Sequence, residues 1–148
     1  MINVFGLRLN ESRVPYLVSE AAIPQNSIVD SPEKAASVFE IAFDSSNRSE
    51  EHFWMMALDT ARHIKGLFTV SQGTLTAALV HPREVFIRAI LAGAASIIIA
   101  HNHPSGSLKI SEQDKCVSAL IKQVGELVGI HMDDHLILAG GKYVSVYS

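Results

Sequence analysis

Cysteine is nearly absent from this chain. Cys116 is the only one, so no internal disulfide can close, and nothing suggests secretion. No run approaches the roughly 18 consecutive apolar residues of a membrane-spanning helix. Met1 is not followed by the basic region and apolar core of a secretory leader, so a cytoplasmic location and no membrane partner are expected. Positive charge is also scarce, with 12 Lys and Arg against 15 Asp and Glu and a formal net charge of -3. Direct DNA binding, which usually needs a basic patch, is therefore not supported by charge. Neither a glycine fingerprint for dinucleotides nor a GKS or GKT phosphate loop occurs. What the chain does have is 148 residues that are 48% hydrophobic, enough for one well-buried core and little more.

The informative stretch is HNHPSGSLKISEQD, residues 101 to 114. Before it, Ser96 to Ala100 reads as a short buried strand, because three consecutive isoleucines are β-branched and uninterrupted by polar residues. Residues i and i+2 of extended backbone point the same way, so His101 and His103 can face one point at the strand's carboxyl end. Pro104, Ser105, Gly106 and Ser107 then turn the chain. Ser111 starts a helix and places Asp114 in its first turn, where exposed N–H groups favour a carboxylate. Two imidazoles and a carboxylate beside a turn suggest a metal site with a fourth position for water. Zinc is the first candidate for such donors, while ligand type leaves manganese and iron(II) open. Asp114 has a second explanation, since Ser111 and Asp114 also resemble a capping box. Ser111 can accept a backbone N–H and still donate its own proton to an oxyanion.

Hydrolysis would also need a general base. Glu51 is the leading candidate because it immediately precedes HFWMMALD, read as a core strand from His52 through Leu58, with Glu50 as its solvated neighbour. Glu84 is an alternative whose place at a helix start favours capping. His52 and Ser105 are possible supporting groups around the site. His131 and His135 lie near strand ends and have no ligand-like partner at informative spacing. Cys116 is expected to be a buried helix residue, turned about 200° around the axis from Asp114.

Elsewhere the pattern predicts roughly five strands and three helices. Ser31 and Pro32 open a helix with Ala35, Val38, Phe39, Ala42 and Phe43 on its apolar face. The strand through Leu58 turns back as an antiparallel return over Gly66 to Ser71. Pro82 starts a second helix with a buried stripe of Val85, Phe86, Ala89 and Ile90. The third helix carries Val117, Leu120, Ile121, Val124, Leu127 and Val128 and ends at Gly129. A final hairpin joins His135–Ala139 to Tyr143–Tyr147 through Gly140 and Gly141. Residues 1–30 are the least informative; Leu7 to Leu9 could belong to an edge strand, through which two copies could pair. The expected architecture is an α/β sandwich with a mixed or curved sheet.

The spacing H-x-H, seven residues, Ser, two residues, Asp resembles the JAMM motif of MPN-domain metalloproteases. The wider set EHFWMMALD, GLFTVSQGTL, HPREVFIRAI, IIIAHNHPSG and DDHLILAGGKYVS resembles the carboxyl-terminal domain of bacterial RadC-like proteins, over roughly residues 50 to 148. That resemblance implies an MPN (JAB1/MPN-like) sandwich with a curved mixed β-sheet and flanking helices. It divides the chain into an N-terminal extension, 1–50, and a metal-binding domain, 51–148. It implies zinc on His101, His103 and Asp114, Glu51 as the acid that activates water, and Ser111 as the group that polarises the substrate carbonyl. The implied activity is hydrolysis of a peptide or isopeptide bond in a peptide or protein substrate. The alternatives are a non-catalytic interaction module that keeps its metal, and a metal-dependent enzyme linked to DNA metabolism. Longer RadC-like proteins carry an amino-terminal helix-hairpin-helix region, of which no convincing copy is seen here.

Overall fold

The computed structural model describes residues 1–24, 28–75 and 80–147. Three consecutive isoleucines set the centre of the fold. Strand β5 (Ser96–Asn102) buries both faces, with Ile97 and Ile99 in one apolar cluster and Ile98 and Ala100 in the other. A strand with no exposed face must lie inside a sheet covered on both sides. β3 (His52–Leu58) is buried in the same way and pairs antiparallel with β5.

Around these two strands a mixed seven-stranded sheet forms in the order β2-β1-β4-β3-β5-β6-β7. The remaining strands are β1 (Ile2–Leu9), β2 (Pro15–Ile23), β4 (Ile64–Gln72), β6 (His131–Ala139) and β7 (Lys142–Ser145). The β1·β4 and β5·β6 pairs are parallel and the others antiparallel. Among the described residues, three α-helices flank the sheet: α1 (Pro32–Phe43), α2 (Pro82–Leu91) and α3 (Glu112–Val128). α1 supplies Ala35, Val38 and Phe39 to one cluster, whereas α2 and α3 supply Val85, Phe86, Val117 and Ile121 to the other. The result is a sheet between helical layers, the expected sandwich, with α3 as the crossover between parallel β5 and β6.

Each helix start follows its local chemistry. Ser31 Oγ accepts from Lys34 N with Pro32 at the first helical position, and His81 Nδ1 accepts from Arg83 N ahead of Pro82. α3 ends at Gly129, whose φ of 79° lies in the left-handed region that glycine adopts without a Cβ penalty.

Several expectations need correction. Among the described residues seven strands occur rather than five, because residues 2–23 form an antiparallel hairpin. Its side chains are mostly half-buried or exposed, so they lack the strong alternation that marks a strand. β1 is also not an edge: β4 and β2 flank it, and β2 is outermost, with Pro15 at its first residue, where no ladder donor is needed. β6 begins at His131, four residues before the expected start, and β7 stops at Ser145. Cys116 is exposed. The buried face of α3 is Asp114, Val117, Ser118, Ile121 and Gly125, so the rotation that separates Cys116 from Asp114 carries it to solvent. Ile90, Leu127 and Val128 are exposed as well, because among the described residues no further layer covers the outer sides of α2 and α3.

Candidate metal centre

Strand β5 carries His101 to the sheet's carboxyl end, and pairing continues one step further, where His103 N donates to Leu138 O (2.9 Å). The chain then turns through Pro104 and Ser105, closed by Gly106 N donating to His103 O (3.0 Å). Gly106, at φ 85°, takes a backbone conformation that side chains disfavour. The extended segment that follows brings Ser111 and the first turn of α3 back over the histidines.

His101 Nε2 lies 2.8 Å from Asp114 Oδ1 and 3.0 Å from His103 Nε2, and His103 Nε2 lies 3.4 Å from Asp114 Oδ2. Donors bonded at about 2.0–2.1 Å in tetrahedral directions around one zinc are separated by roughly 3.3 Å. The spacing of the three side chains therefore fits a divalent cation, and their donor atoms all lie within 4.8 Å of one another. No other cluster of this kind occurs among the described residues. The side chains of His101 and Asp114 are 1% and 2% exposed, whereas that of His103 is 14% exposed. The cluster is thus closed beneath and reached from the His103 side.

The two explanations of Asp114 hold together. Ser111 Oγ accepts from Asp114 N (3.0 Å) while Asp114 Oδ2 accepts from Ser111 N (2.7 Å), a complete capping box made by the same carboxylate that faces both histidines. Burial disfavours its charge. Hydrogen bonds from His101, His103 and the Ser111 N–H outweigh that and hold the carboxyl well below the usual range. His103 is raised, chiefly by its hydrogen bond to Asp114, against burial and with help from the Ser107 carbonyl that its Nδ1 faces at 2.9 Å.

An open cleft of about 590 Å³ lies over this cluster, lined among others by Glu51, His103, Ser105, Ser107 and Ser111. Glu51 sits immediately before β3. Its Oε2 accepts from Leu75 N (2.9 Å), and its backbone carbonyl accepts from Gly73 N (2.8 Å). Ser105 Oγ accepts from Ser107 N (3.3 Å) and helps shape the turn. The His52 ring stacks on Trp54 (centroids 5.4 Å apart), on the face covered by α1, and its backbone N–H donates to Asn102 Oδ1. Glu84 pairs with Arg88 on α2.

Two residues were not foreseen. Asn102, between the two histidines and 1% exposed, points to the opposite sheet face. Its Oδ1 accepts from His52 N (2.6 Å) and its Nδ2 donates to Glu50 O (2.9 Å). It thereby clamps the chain on both sides of Glu51. Asparagine inside H-N-H was the available signal, since a buried amide needs partners. His135 is fully buried, with its Nε2 3.0 Å from His101 Nδ1. A bulge in β6 places it there: Ile97 pairs with Met132 but Ile98 with Asp134, leaving Asp133 as an extra residue. That insertion reverses the phase of the strand, so Met132 and His135 share the face on which Leu136 and Leu138 would otherwise lie.

A model of the RadC-like JAB domain matches residues 29–148. The chain belongs to this family. The match starts before β3 and takes in α1 as well as the stretch that carries the motifs. Among curated proteins, this RadC-like domain is 41% identical over 122 residues to the UPF0758 protein tlr1707 of Thermosynechococcus vestitus, covering 82% of the chain and 48% of that relative. It is 43% identical over 98 residues to a UPF0758 protein of Rubrobacter xylanophilus, covering 66% and 43% respectively. It is 38% identical over 119 residues to the UPF0758 protein ABC2615 of Shouchella clausii, covering 80% and 51%. The RadC-like chain thus spans about half the length of the curated relatives it matches. None of its described helices is long and apolar enough to cross a membrane.

Proposed function

We propose that this RadC-like domain is a zinc-dependent peptidase or isopeptidase that hydrolyses an amide bond at the cleft above His101, His103 and Asp114. The observation that carries the reading is the shared cleft: a three-donor cluster open on one side, with a carboxylate and a hydroxyl at its rim. His101 Nε2, His103 Nε2 and one Asp114 carboxylate oxygen would hold the cation. Bound there, it would supply Lewis acidity, which acidifies water and polarises a carbonyl.

The chain's own groups supply the remainder. Glu51 takes a proton from the attacking water and returns it to the departing amine, which balances the hydrolysis. Its Oε2 is already held by the Leu75 N–H, so Oε1 is the oxygen left to move the proton. Ser111 Oγ accepts from Asp114 N, which leaves its O–H free to donate to the carbonyl oxygen as charge develops there. The extended segment from Ser107 to Ser111 forms the cleft wall along which a peptide substrate lies.

The test is zinc stoichiometry followed by an unbiased screen of peptide and isopeptide substrates with the purified chain. One zinc per chain is expected, with turnover that E51Q reduces by at least about 10²-fold, within the range attributed to a positioned acid–base group. H103A should lose the zinc. Stoichiometric zinc with no turnover on any substrate would make this a non-catalytic interaction module. Turnover unaffected by E51Q would remove Glu51 from the mechanism.

A further inference from the structure

We propose that His135 is a positioning residue for the metal cluster: it accepts the Nδ1 proton of His101 and holds that imidazole with Nε2 toward His103 and Asp114. The inference rests on the reading of the triad as a metal site. His101 presents Nε2 to both other donors, at 2.8 and 3.0 Å. A neutral imidazole that ligates through Nε2 carries its proton on Nδ1, and that proton needs an acceptor. The polar atom facing His101 Nδ1 is His135 Nε2, at 3.0 Å.

Packing alone does not account for a histidine at this position. His135 is fully buried, with Phe53 edge-on to its ring (centroids 6.2 Å apart). Among the described residues, its Nδ1 is buried without a hydrogen-bond partner. A leucine would fill such a place without burying two ring nitrogens, one of them unpaired. That unpaired atom is where the His135 proton must sit if Nε2 is to accept from His101, so the orphan follows from the proposed tautomer. Phe53 also lies nearly parallel to His101 (centroids 6.3 Å, 10°) and fixes the ring from a second side.

The choice of partner has a chemical consequence. Metal-binding histidines usually donate their second N–H to a carboxylate, carbonyl or water, and a carboxylate raises the ligand's basicity. A neutral imidazole acceptor fixes orientation without adding negative charge behind His101. The cation then keeps more of its Lewis acidity for the cleft.

The test uses the whole chain loaded with zinc, with side-chain ¹⁵N NMR of histidine and zinc affinities from chelator competition. In the zinc-loaded wild type, His101 should carry its proton on Nδ1 and His135 should have an unprotonated, hydrogen-bonded Nε2. H135L should bind zinc about 10–100-fold more weakly. H135Q, whose Oε1 can occupy the place of the acceptor nitrogen, should stay within a few-fold of wild type. Ligation by His101 through Nδ1, a protonated His135 Nε2, or wild-type affinity in a folded H135L would overturn the inference and leave the metal site standing. Failure of wild type to take up zinc would overturn the metal reading itself. If H135L does not fold, the tautomers in the zinc-loaded wild type decide.

Discussion

At the scale of single residues, the site depends on side chains that each serve two partners. Asp114 caps α3 and faces both histidines, and Asn102 holds the backbone on both sides of Glu51. Replacing Asn102 with alanine would leave a backbone donor and a backbone acceptor without their partner, a loss of about 1–3 kcal/mol per unsatisfied group. Glu51 would move while the zinc donors stayed in place. N102A is therefore expected to keep wild-type zinc affinity and lose roughly 10²-fold in turnover, measured on the substrate found for the wild type; a parallel loss of zinc would place Asn102 in the cluster's support instead. His135 gives a pH prediction. Burial first, and the charge of His101 second, push its pKa down from 6.5 to about 3. The unfolded chain then binds more protons than the folded one between those values, so stability rises with pH across that window. As pH falls from about 6.5 toward about 3, the metal-free protein should lose this contribution, of the order of a few kcal/mol. Urea midpoints across that range should show a shallower decline in H135L than in wild type.

At the scale of elements, local chemistry explains most of what was legible in advance. The three isoleucines of β5, the Ser31–Pro32 pair and Pro82 at helix starts, and the glycine after α3 each act through their nearest neighbours. The elements that escaped depend on distant partners. The β1–β2 hairpin has little alternation of its own, and the first four residues of β6 become strand only because β5 lies beside them. The Asp133 bulge is of the same kind, and with it the placement of His135, since phase in a strand is read against its neighbour. Cys116 shows the opposite failure. Its angular separation from Asp114 was available from helix geometry, but which side of α3 faces the sheet is settled by the layer beneath. The far end of α3 is closely packed against α2 and the chain that follows α3, where a Cβ on Gly125 would overlap the Ile130 carbonyl oxygen and press on Phe86. G125A should therefore destabilise the protein by about 1–3 kcal/mol, despite alanine's better helix propensity. A thermal or urea unfolding curve unchanged from wild type would show that α3 can shift away from Ile130 and Phe86.

At the scale of the whole molecule, the sheet is a rigid carrier for one end of β5. His101, Asn102 and His103 leave the sheet in sequence, and α3 returns above them with Ser111 and Asp114. Glu51 arrives at the same end because β3 runs antiparallel beside β5. Sequence spacing alone showed the two histidines and the aspartate as a group; Glu51, some fifty residues away, joins them only through that pairing. The curated relatives have about twice the length matched here. The most direct measurement of the metal centre is a crystal structure of the zinc-loaded chain with anomalous scattering recorded at the zinc edge. One zinc is expected, held by His101, His103 and Asp114, with an open position facing Glu51. Zinc bound elsewhere, a cluster closed by a fourth protein ligand, or Glu51 turned away from the cleft would contradict it.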